Sequence, residues 1–363
     1  MSTYSFDSII INGREIKLDH ILQGTTVQLS DFEASTFLFI QKWFGDADDF
    51  IQKTSGSTGM AKSISISRRQ MIASAELTAK ALNLKAGENA LLCLDPEYIA
   101  GKMMLVRSFI TGMTIIATEP SSNPFRNLPE QLPIDFTAIV PLQLNEILQS
   151  DHAERLNSIR NILVGGAAID EGLKEKLSKF NSQIYATYGM TETISHIALQ
   201  RVNGPLASEY FTVLPGIEID VDERGCLEID APYLHEKIAT NDVVEIKPSG
   251  HFKWLGRIDN IINTGGIKVI PEIIEDRIRR FFEQQNIKNK FLISSRPDPL
   301  LGNKIILLIE GDLKEVSQET LKSNLREILP LYEAPREIYT GIRIVLTENG
   351  KINRGETSRQ IGK

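Results

Sequence analysis

The 363-residue sequence has only two cysteines, no excess of positive charge and no long apolar segment. Cys93 and Cys226 are far apart, so they form neither a disulfide framework nor a metal-ligand spacing, and they fit a reducing compartment. A formal net charge of −7 argues against nucleic-acid binding. No apolar run approaches the ~20 residues of a membrane-spanning helix, and the amino terminus has no signal-peptide pattern. We therefore expect a cytoplasmic protein without membrane insertion.

The composition is that of a globular protein, with 42% hydrophobic and 24% charged residues. At ~150 residues per domain, the length suggests about two domains. In the first half, short β-rich apolar runs alternate with helical patterns, which predicts an α/β domain with a largely parallel sheet. The predicted elements are strands at 90–94, 114–118, 137–140, 161–164 and 183–187, and helices at 67–82 and 170–180.

From about Tyr210 to Arg257, apolar and polar residues alternate between turn residues, which predicts a subdomain of antiparallel sheet. The remaining residues have the pattern of a small α+β domain of roughly a hundred residues. Its predicted elements are helices at 271–282 and 318–329, and strands at 290–294, 304–310 and 342–346. We therefore predict an N-terminal domain, residues 1–258, and a C-terminal domain, residues 259–363.

The strongest local signal is the segment Thr54-Ser55-Gly56-Ser57-Thr58-Gly59-Met60-Ala61-Lys62. Glycines let backbone N–H groups approach a ligand, hydroxyls donate hydrogen bonds to phosphate oxygens, and the lysine adds a positive charge. A Walker-type loop is excluded, because Ala61 precedes the lysine and residues 62–66 alternate like a strand. The capping-box pattern Ser67-Arg-Arg-Gln70 predicts that the helix starts only after that strand.

This loop resembles the signature loop of the acyl-adenylate-forming superfamily: acyl-CoA synthetases, luciferases and peptide-synthetase adenylation domains. It departs from the family pattern at Ala61, where proline is usual, and at Ser63, where glycine is usual. Other motifs of the superfamily follow in the same order: Gly165-Gly166-Ala167, Tyr188-Gly189-Met190-Thr191-Glu192, Thr240-Asn241-Asp242, Gly256-Arg257-Ile258-Asp259, Gly265-Gly266 and Gly350-Lys351. Asn241 replaces the usual glycine, and asparagine also tolerates unusual backbone angles.

The resemblance implies a role for each motif. Phosphate would be held by Thr54, Ser55, Gly56, Ser57, Thr58, Gly59 and Lys62. Adenine and ribose would be bound by Gly165, Gly166, Ala167, Tyr188, Gly189, Asp242 and Arg257. Catalysis would use Thr191 on phosphate, Glu192 on Mg²⁺, and Lys351 between the substrate carboxylate and the α-phosphate. Asp259 would be the hinge of a mobile C-terminal domain, and Gly265 and Gly266 would line the thiol path.

The implied reaction joins a small carboxylic acid to ATP, giving acyl-AMP and pyrophosphate, and then transfers the acyl group to coenzyme A. Within the superfamily the chain looks like the o-succinylbenzoate–CoA ligases of menaquinone biosynthesis, through its early signature loop and the segments 94–104 and 189–195. The second carboxylate of that acid would need a cation. Lys102 is the first candidate, because Gly101 before it leaves room for a ligand. Arg107 is the second, and Tyr98 stands where histidine is common.

Three alternatives remain open from the sequence. Another aryl- or fatty-acid–CoA ligase would share the ATP motifs but accept monocarboxylates. A stand-alone adenylation protein would load a carrier protein and ignore free coenzyme A. A nucleotide-binding relative without catalysis is disfavoured, because Lys62, Glu192 and Lys351 are all present.

Overall fold

The computed structural model describes residues 6–24, 28–53, 63–314, 316–346 and 352–361. The chain divides into two units. Unit 1 comprises Met1–Ile219, Ile229–Ile238 and Pro248–His251. Unit 2 comprises Asp220–Glu228, Ala239–Lys247 and Phe252–Lys363. A domain boundary after residue 258 stays a prediction.

Unit 1 contains a mixed sheet and a separate two-stranded hairpin. Its strands are β1 (Ser8–Ile11), β2 (Arg14–Lys17), β3 (Asp49–Lys53), β4 (Ser63–Ser67), β5 (Asn89–Leu92), β6 (Thr114–Ala117), β7 (Phe136–Ile139), β8 (Asn161–Val164), β9 (Gln183–Gly189), β10 (His196–Arg201) and β11 (Phe211–Val213). Neighbours follow the order β11-β10-β9-β8-β7-β5-β6-β1-β2. The pairs from β1/β6 through β8/β9 are parallel, whereas β1/β2, β9/β10 and β10/β11 are antiparallel.

The helices of unit 1 separate its parallel strands. They are α1 (Leu18–Gln23), α2 (Asp31–Phe44), α3 (Arg68–Leu82), α4 (Ile99–Thr111), α5 (Pro141–Leu148) and α6 (Glu171–Leu177). The sheet and helices enclose a core in which Ile162, Val164 and Ile184 are fully buried. Parallel strands are covered on both faces, and β8 accordingly is buried at all four positions rather than at alternate ones. The predicted α/β class and the positions of these strands are confirmed.

The start of α3 follows the predicted capping box. The Ser67 hydroxyl accepts from the Gln70 N–H (3.3 Å), and the Gln70 side chain accepts from the Ser67 N–H (2.9 Å). Before this helix, β3 and β4 pair in antiparallel register from Asp49↔Ser67 to Lys53↔Ser63. The segment 54–62 therefore joins two strands of a hairpin, and the exclusion of a Walker-type loop is confirmed. The seven proposed phosphate-binding residues of that segment lie outside the described residues.

Next come the strands β12 (Glu218–Val221), β13 (Cys226–Asp230), β14 (Ile238–Lys247) and β15 (His251–Arg257). They fall within the region for which alternation predicted antiparallel sheet. The chain passes from one unit to the other within these strands or at their ends. Within the described ranges, each helix falls short of the length and apolar content needed to cross a membrane.

The rest of unit 2 is α+β. Its elements are β16 (Ile262–Thr264), β17 (Ile267–Val269), α7 (Pro271–Gln284), β18 (Phe291–Asp298), β19 (Gly302–Glu310), α8 (Gln318–Ile328), β20 (Glu337–Ile342) and α9 (Arg354–Arg359). Strands follow the order β17-β16-β19-β18, and β20 pairs in parallel with β19. Alternate residues of β19 enter two cores: Ile305 and Leu307 pack with α7 and α8, and Ile306 and Leu308 pack with Ile344.

One predicted strand of unit 2 is wrong. The sequence predicted a strand at 342–346, but the strand that joins the sheet is β20, which ends at Ile342. Its segment Glu337-Ile-Tyr-Thr-Gly-Ile contains Gly341 in the left-handed region (φ +73°), and glycine weakens a strand signal. Pairing with β19 overrides that weak local preference.

Candidate functional site

Two neighbouring parallel strands of unit 1 carry motif residues at their carboxyl ends. Val164, the last residue of β8, pairs with Ala186 of β9, so Gly165 follows beside Thr187. A Cβ at Gly165 would lie 2.6 Å from the Thr187 hydroxyl oxygen, and Gly166 is left-handed at φ +86°. The structure thus brings Gly165, Gly166 and Ala167 close to the end of β9. Ligands of α/β sheets bind at such carboxyl ends.

The end of β9 carries the second motif. The half-buried ring of Tyr188 contacts the ring of Phe211 edge-on, with ring centroids 5.8 Å apart. Gly189 is needed for a structural reason, because a Cβ there would lie 2.4 Å from the Cα of His196 on β10. Gly189 therefore allows β9 and β10 to approach closely. Its proposed adenine contact remains a prediction.

A tight turn after β9 presents Thr191 and Glu192. The Met190 N–H donates to the Thr193 hydroxyl (2.9 Å), and the Ile194 N–H donates to the Thr191 carbonyl (2.9 Å). Ile194 is buried and left-handed at φ +69°, a strained conformation for a β-branched residue. The turn leaves the Glu192 side chain exposed. An exposed carboxylate suits Mg²⁺, which usually takes one or two protein carboxylates plus phosphate oxygens and water.

The beginning of α4 corrects one sequence argument. A Cβ at Gly101 would lie 2.4 Å from the backbone carbonyl oxygen of Asp95, so backbone already fills the space beside this glycine. Lys102 donates from its ammonium to the Gln52 side chain (2.6 Å) and to the Glu97 carbonyl (3.1 Å). Burial, followed by the nearby charge of Lys42, lowers the pKa of Lys102. Tyr98 precedes the helix and is 58% exposed.

Arg107 lies further along α4 than Lys102 and is only 2% exposed. Its Nη2 donates to the Ser195 hydroxyl, but its buried Nε has no hydrogen-bond partner within the described residues. Among the described residues, no carboxylate pairs with its guanidinium, and burial lowers its pKa to about 9. His196 lies beside it, with Nε2 3.0 Å from the Thr78 hydroxyl. A buried, unpaired cation is costly unless an anion joins it.

In unit 2, β14 and β15 bring together the motif residues Asp242, Arg257 and Asp259. The Trp254 indole donates to Asp242 (3.1 Å), and Arg257 lies 3.7 Å from the same carboxylate. Arg257 also pairs with Asp259 at 2.8 Å. This ion pair, more than any other contact, lowers the pKa of Asp259. Ribose binding by Asp242 and Arg257 remains a prediction.

Asn241 has a role that its backbone does not explain. It lies within β14 and is not among the residues with positive φ, so tolerance of unusual backbone angles is not the reason for its presence. Instead its side chain donates to both carboxylate oxygens of Asp259 (3.2 and 3.1 Å) and accepts from Arg224 (3.1 Å). Sequence reasoning missed these contacts, for which the only signal was the departure from glycine.

Gly265 and Gly266 form the two-residue turn between β16 and β17, where Thr264 pairs with Ile267. Both are left-handed, at φ +59° and +81°, which is the requirement of a type I′ hairpin turn. Both are also exposed, and a Cβ at Gly266 would meet nothing within 4 Å. The backbone at Gly266 is therefore open to a ligand, whereas the Gly265 N–H donates to the Leu301 carbonyl (2.8 Å). The proposed thiol path remains a prediction.

Lys351 lies outside the described residues, but the chain on either side of it is described. Leu346 and Ile352 form an isolated antiparallel bridge. The Asn353 N–H then donates to the Val345 carbonyl (2.8 Å). These contacts close the base of the segment 347–351.

Comparison with known proteins identifies the family. Residues 26–229 match the family model described as AMP-binding enzyme. The 2-succinylbenzoate–CoA ligase of Lactococcus lactis subsp. lactis (strain IL1403) is 26% identical over 374 residues, covering 94% of this chain and 80% of that protein.

Two solved structures are also similar. An acyl-CoA synthetase (AMP-forming)/AMP-acid ligase II-like protein from Dyadobacter fermentans DSM 18053 is 39% identical, with a TM-score of 0.63, covering 94% of this chain and 97% of that one. The o-succinylbenzoate coenzyme A synthetase of Bacillus subtilis, solved with ATP and magnesium, shares the fold at 21% identity and a TM-score of 0.68, covering 85% of this chain and 69% of that one. The chain belongs to the AMP-binding enzyme family, in the superfamily of adenylate-forming acid–CoA ligases.

Proposed function

We propose that this protein activates o-succinylbenzoate with MgATP and transfers the acyl group to coenzyme A. The family membership supports an adenylate-forming ligase, and the name of the Lactococcus relative suggests the acid. The observation that carries the choice of a dicarboxylate is the buried guanidinium of Arg107, which has no carboxylate partner in the described part of the chain.

The chemistry needs little covalent participation by the protein. An oxygen of the substrate carboxylate attacks the α-phosphorus of ATP and displaces pyrophosphate; the thiol of coenzyme A then attacks the acyl carbon, loses its proton and displaces AMP. Positioning and charge stabilisation dominate such transfers. Lys351 would join the carboxylate and the α-phosphate, and Glu192 would hold Mg²⁺, which neutralises phosphate charge. The loop 54–62 would hold pyrophosphate.

The remaining motif residues would place the nucleotide and the thiol. Tyr188 and the backbone at Gly165 and Gly166 would lie against adenine, and Asp242 would accept from the ribose hydroxyls. Residues 259–363 would turn about Asp259 between the two steps, which withdraws Lys351 and brings Gly266 to the thiol. Hinge rotation of this kind lets one site serve two reactions.

The second carboxylate of the acid is the group that distinguishes this substrate. Lys102 is the weaker partner for it, because its ammonium already donates to Gln52 and Glu97. Arg107 is the stronger, because a carboxylate would supply both its missing counter-ion and an acceptor for its Nε–H. We therefore place Arg107 ahead of Lys102 as the residue that recognises the ring carboxylate.

A screen of pyrophosphate release across carboxylic acids, with and without coenzyme A, tests the function. We expect the highest specificity constant for o-succinylbenzoate, together with an acyl-CoA product. Preference for a monocarboxylate would show that o-succinylbenzoate is not the substrate. Transfer only to a carrier protein would show that coenzyme A is not the acceptor. Absence of pyrophosphate release with every acid would contradict the ligase itself.

The same assay tests Arg107. We expect Arg107→Gln to lower kcat/KM for o-succinylbenzoate by roughly one to two decades, since a charge-assisted hydrogen bond contributes ~1.5–3 kcal/mol. Arg107→Lys should retain part of the activity, and Lys102→Met should cost less than Arg107→Gln. With an analogue that lacks the ring carboxylate, the Arg107 loss should be small. Equal losses on both acids would show that Arg107 is structural.

A further inference from the structure

Arg354 follows Lys351 by three residues and is the first residue of α9. Between them along the chain lies Ile352, which forms an isolated bridge with Leu346. A chain advances at most ~3.6 Å per residue, so the position of Arg354 limits where Lys351 can lie. The side-chain contacts of Arg354 therefore bear on the geometry of the lysine.

The Arg354 guanidinium is held by a closed ring of contacts within unit 2. Its Nη2 lies 2.6 Å from Oε2 of Glu275, on α7, and its Nη1 donates to the Ile293 carbonyl, on β18 (3.2 Å). The ring closes because Oε1 of Glu275 accepts from the Ile293 N–H (2.8 Å). The guanidinium is thus fixed in two directions by groups on two different elements.

A second carboxylate extends this ring. Glu272, one turn before Glu275 on α7, lies 3.6 Å from Nη2 of Arg354 and accepts from the side chain of Asn260. Its other oxygen lies against Gly256, where a Cβ would come within 2.5 Å. The contacts of Arg354 therefore reach the residue that directly follows Asp259, the proposed hinge.

This arrangement does more than hold α9 in place. Glu275 is 8% exposed, and burial raises its pKa, whereas the charge of Arg354 acts in the opposite direction. Buried ion pairs add little stability compared with apolar residues of similar size, but they are specific in geometry. α9 has Thr357 as its buried residue, whose hydroxyl accepts from the Val345 N–H (3.1 Å), and Ser358 bonds to Ser294 (2.8 Å). The contacts of Arg354 add a charged anchor at the first residue of the helix, nearest to Lys351 along the chain.

We propose that Arg354, held by Glu275 and Glu272, is a positioning residue that fixes the base of the segment carrying Lys351. The inference rests on the proposed function, in which Lys351 acts in acyl-AMP formation and is withdrawn for thioester formation. Loss of the Arg354 contacts should therefore affect one half-reaction and spare the other.

The test measures both half-reactions in Arg354→Met and Arg354→Lys. We expect Arg354→Met to lower kcat for pyrophosphate release about 10–100-fold, the scale of a small misplacement of a reacting group, with KM for ATP nearly unchanged. Thioester formation from supplied acyl-AMP should stay at the wild-type rate, and Arg354→Lys should restore part of the lost rate. Equal losses in the two half-reactions, or none, would overturn the proposal.

A matched control variant and a measurement that needs no substrate complete the test. Arg277 also lies on α7 and pairs with Glu333, so Arg277→Met removes an ion pair without touching Arg354. Hydrogen exchange of a peptide spanning 344–353 should be faster in Arg354→Met and unchanged in Arg277→Met. If wild type releases no pyrophosphate with any acid, the proposed function fails and this exchange alone decides the positioning role. If Arg354→Met does not fold, Glu275→Gln must show the same split between half-reactions.

Discussion

The side-chain amide of Asn241 donates to both carboxylate oxygens of Asp259, at 3.2 and 3.1 Å. The same side chain accepts from Arg224, so one amide connects a cation on one side with the proposed hinge residue on the other. The superfamily motif usually has glycine at this position, which cannot make these bonds.

We expect Asn241→Ala to lower the free energy of unfolding by about 1 kcal/mol, the usual net value of a lost hydrogen bond. The pKa of Asp259 should rise, because the amide helps to lower it. Urea unfolding and an NMR titration of Asp259 measure the two effects. Asn303→Ala is the control, since the described amide contact of Asn303 is one 3.3 Å bond to a carbonyl. An unchanged Asp259 titration would contradict the interpretation.

Lys351→Ala should lower acyl-AMP formation by about 10²–10³-fold, the usual cost of removing one group that stabilises transition-state charge. Thioester formation from supplied acyl-AMP should be largely unaffected, because the lysine is expected to act in one domain pose only. Separate measurements of the two half-reactions check this, with the exposed Lys288→Ala as control. Comparable losses in both half-reactions of a folded variant would refute the assignment.

Gly266→Leu should have the reverse effect, sparing pyrophosphate release and blocking transfer to coenzyme A. Because Gly266 has φ +81°, any side chain there also strains the backbone by about 1–2 kcal/mol. Gly311→Leu is the matched control, since Gly311 has φ +65° and, like Gly266, open space where a Cβ would be. Both variants should lose similar stability, but only Gly266→Leu should lose transfer. Normal transfer to coenzyme A by Gly266→Leu would show that this turn does not line the thiol path.

His196 should make stability depend on pH. Burial, helped by the charge of Arg107, holds its pKa well below the ordinary value, so the folded protein keeps it neutral while the unfolded chain takes up a proton on acidification. Keeping His196 neutral therefore costs no stability above pH ~6.5. Below that pH, the free energy of unfolding falls by up to ~1.4 kcal/mol per pH unit.

Urea unfolding between pH 7.5 and 5.5 measures this dependence. His196→Gln keeps a donor for the Thr78 hydroxyl but cannot be protonated. Its stability should therefore fall less on acidification than that of wild type. Parallel pH profiles would mean that His196 does not contribute to the loss.

Local patterns predicted the strands and capped helices well, because each depends on residues close in sequence. The Ser67–Gln70 capping box and the apolar strand Asn161–Val164 are two examples. Long-range contacts were not predictable in this way. The environment of Arg107 combines residues from α4, β10 and the segment before it, and no local pattern reports that its counter-ion is missing.

Two residues stand out in the sequence, but the explanation that the sequence suggests for each is wrong. Gly101 was expected to leave room for a ligand, but the backbone carbonyl of Asp95 occupies that space. Asn241 was expected to replace glycine through its backbone, but it acts through its side chain. In both cases the sequence identifies an unusual residue, whereas the neighbour that explains it is known only from the fold.

The passage of the chain between the two units has a consequence for synthesis on the ribosome. Asp220–Glu228, the first part of unit 2, emerges before Ile229–Ile238 and Pro248–His251 have completed unit 1. No single cut in the chain therefore separates the two units as whole pieces. The early segments of unit 2 are also made before the residues from Ile262 to Ala334, which form an apolar core of that unit. Unpaired strand edges that are exposed during that interval favour aggregation of the nascent chain.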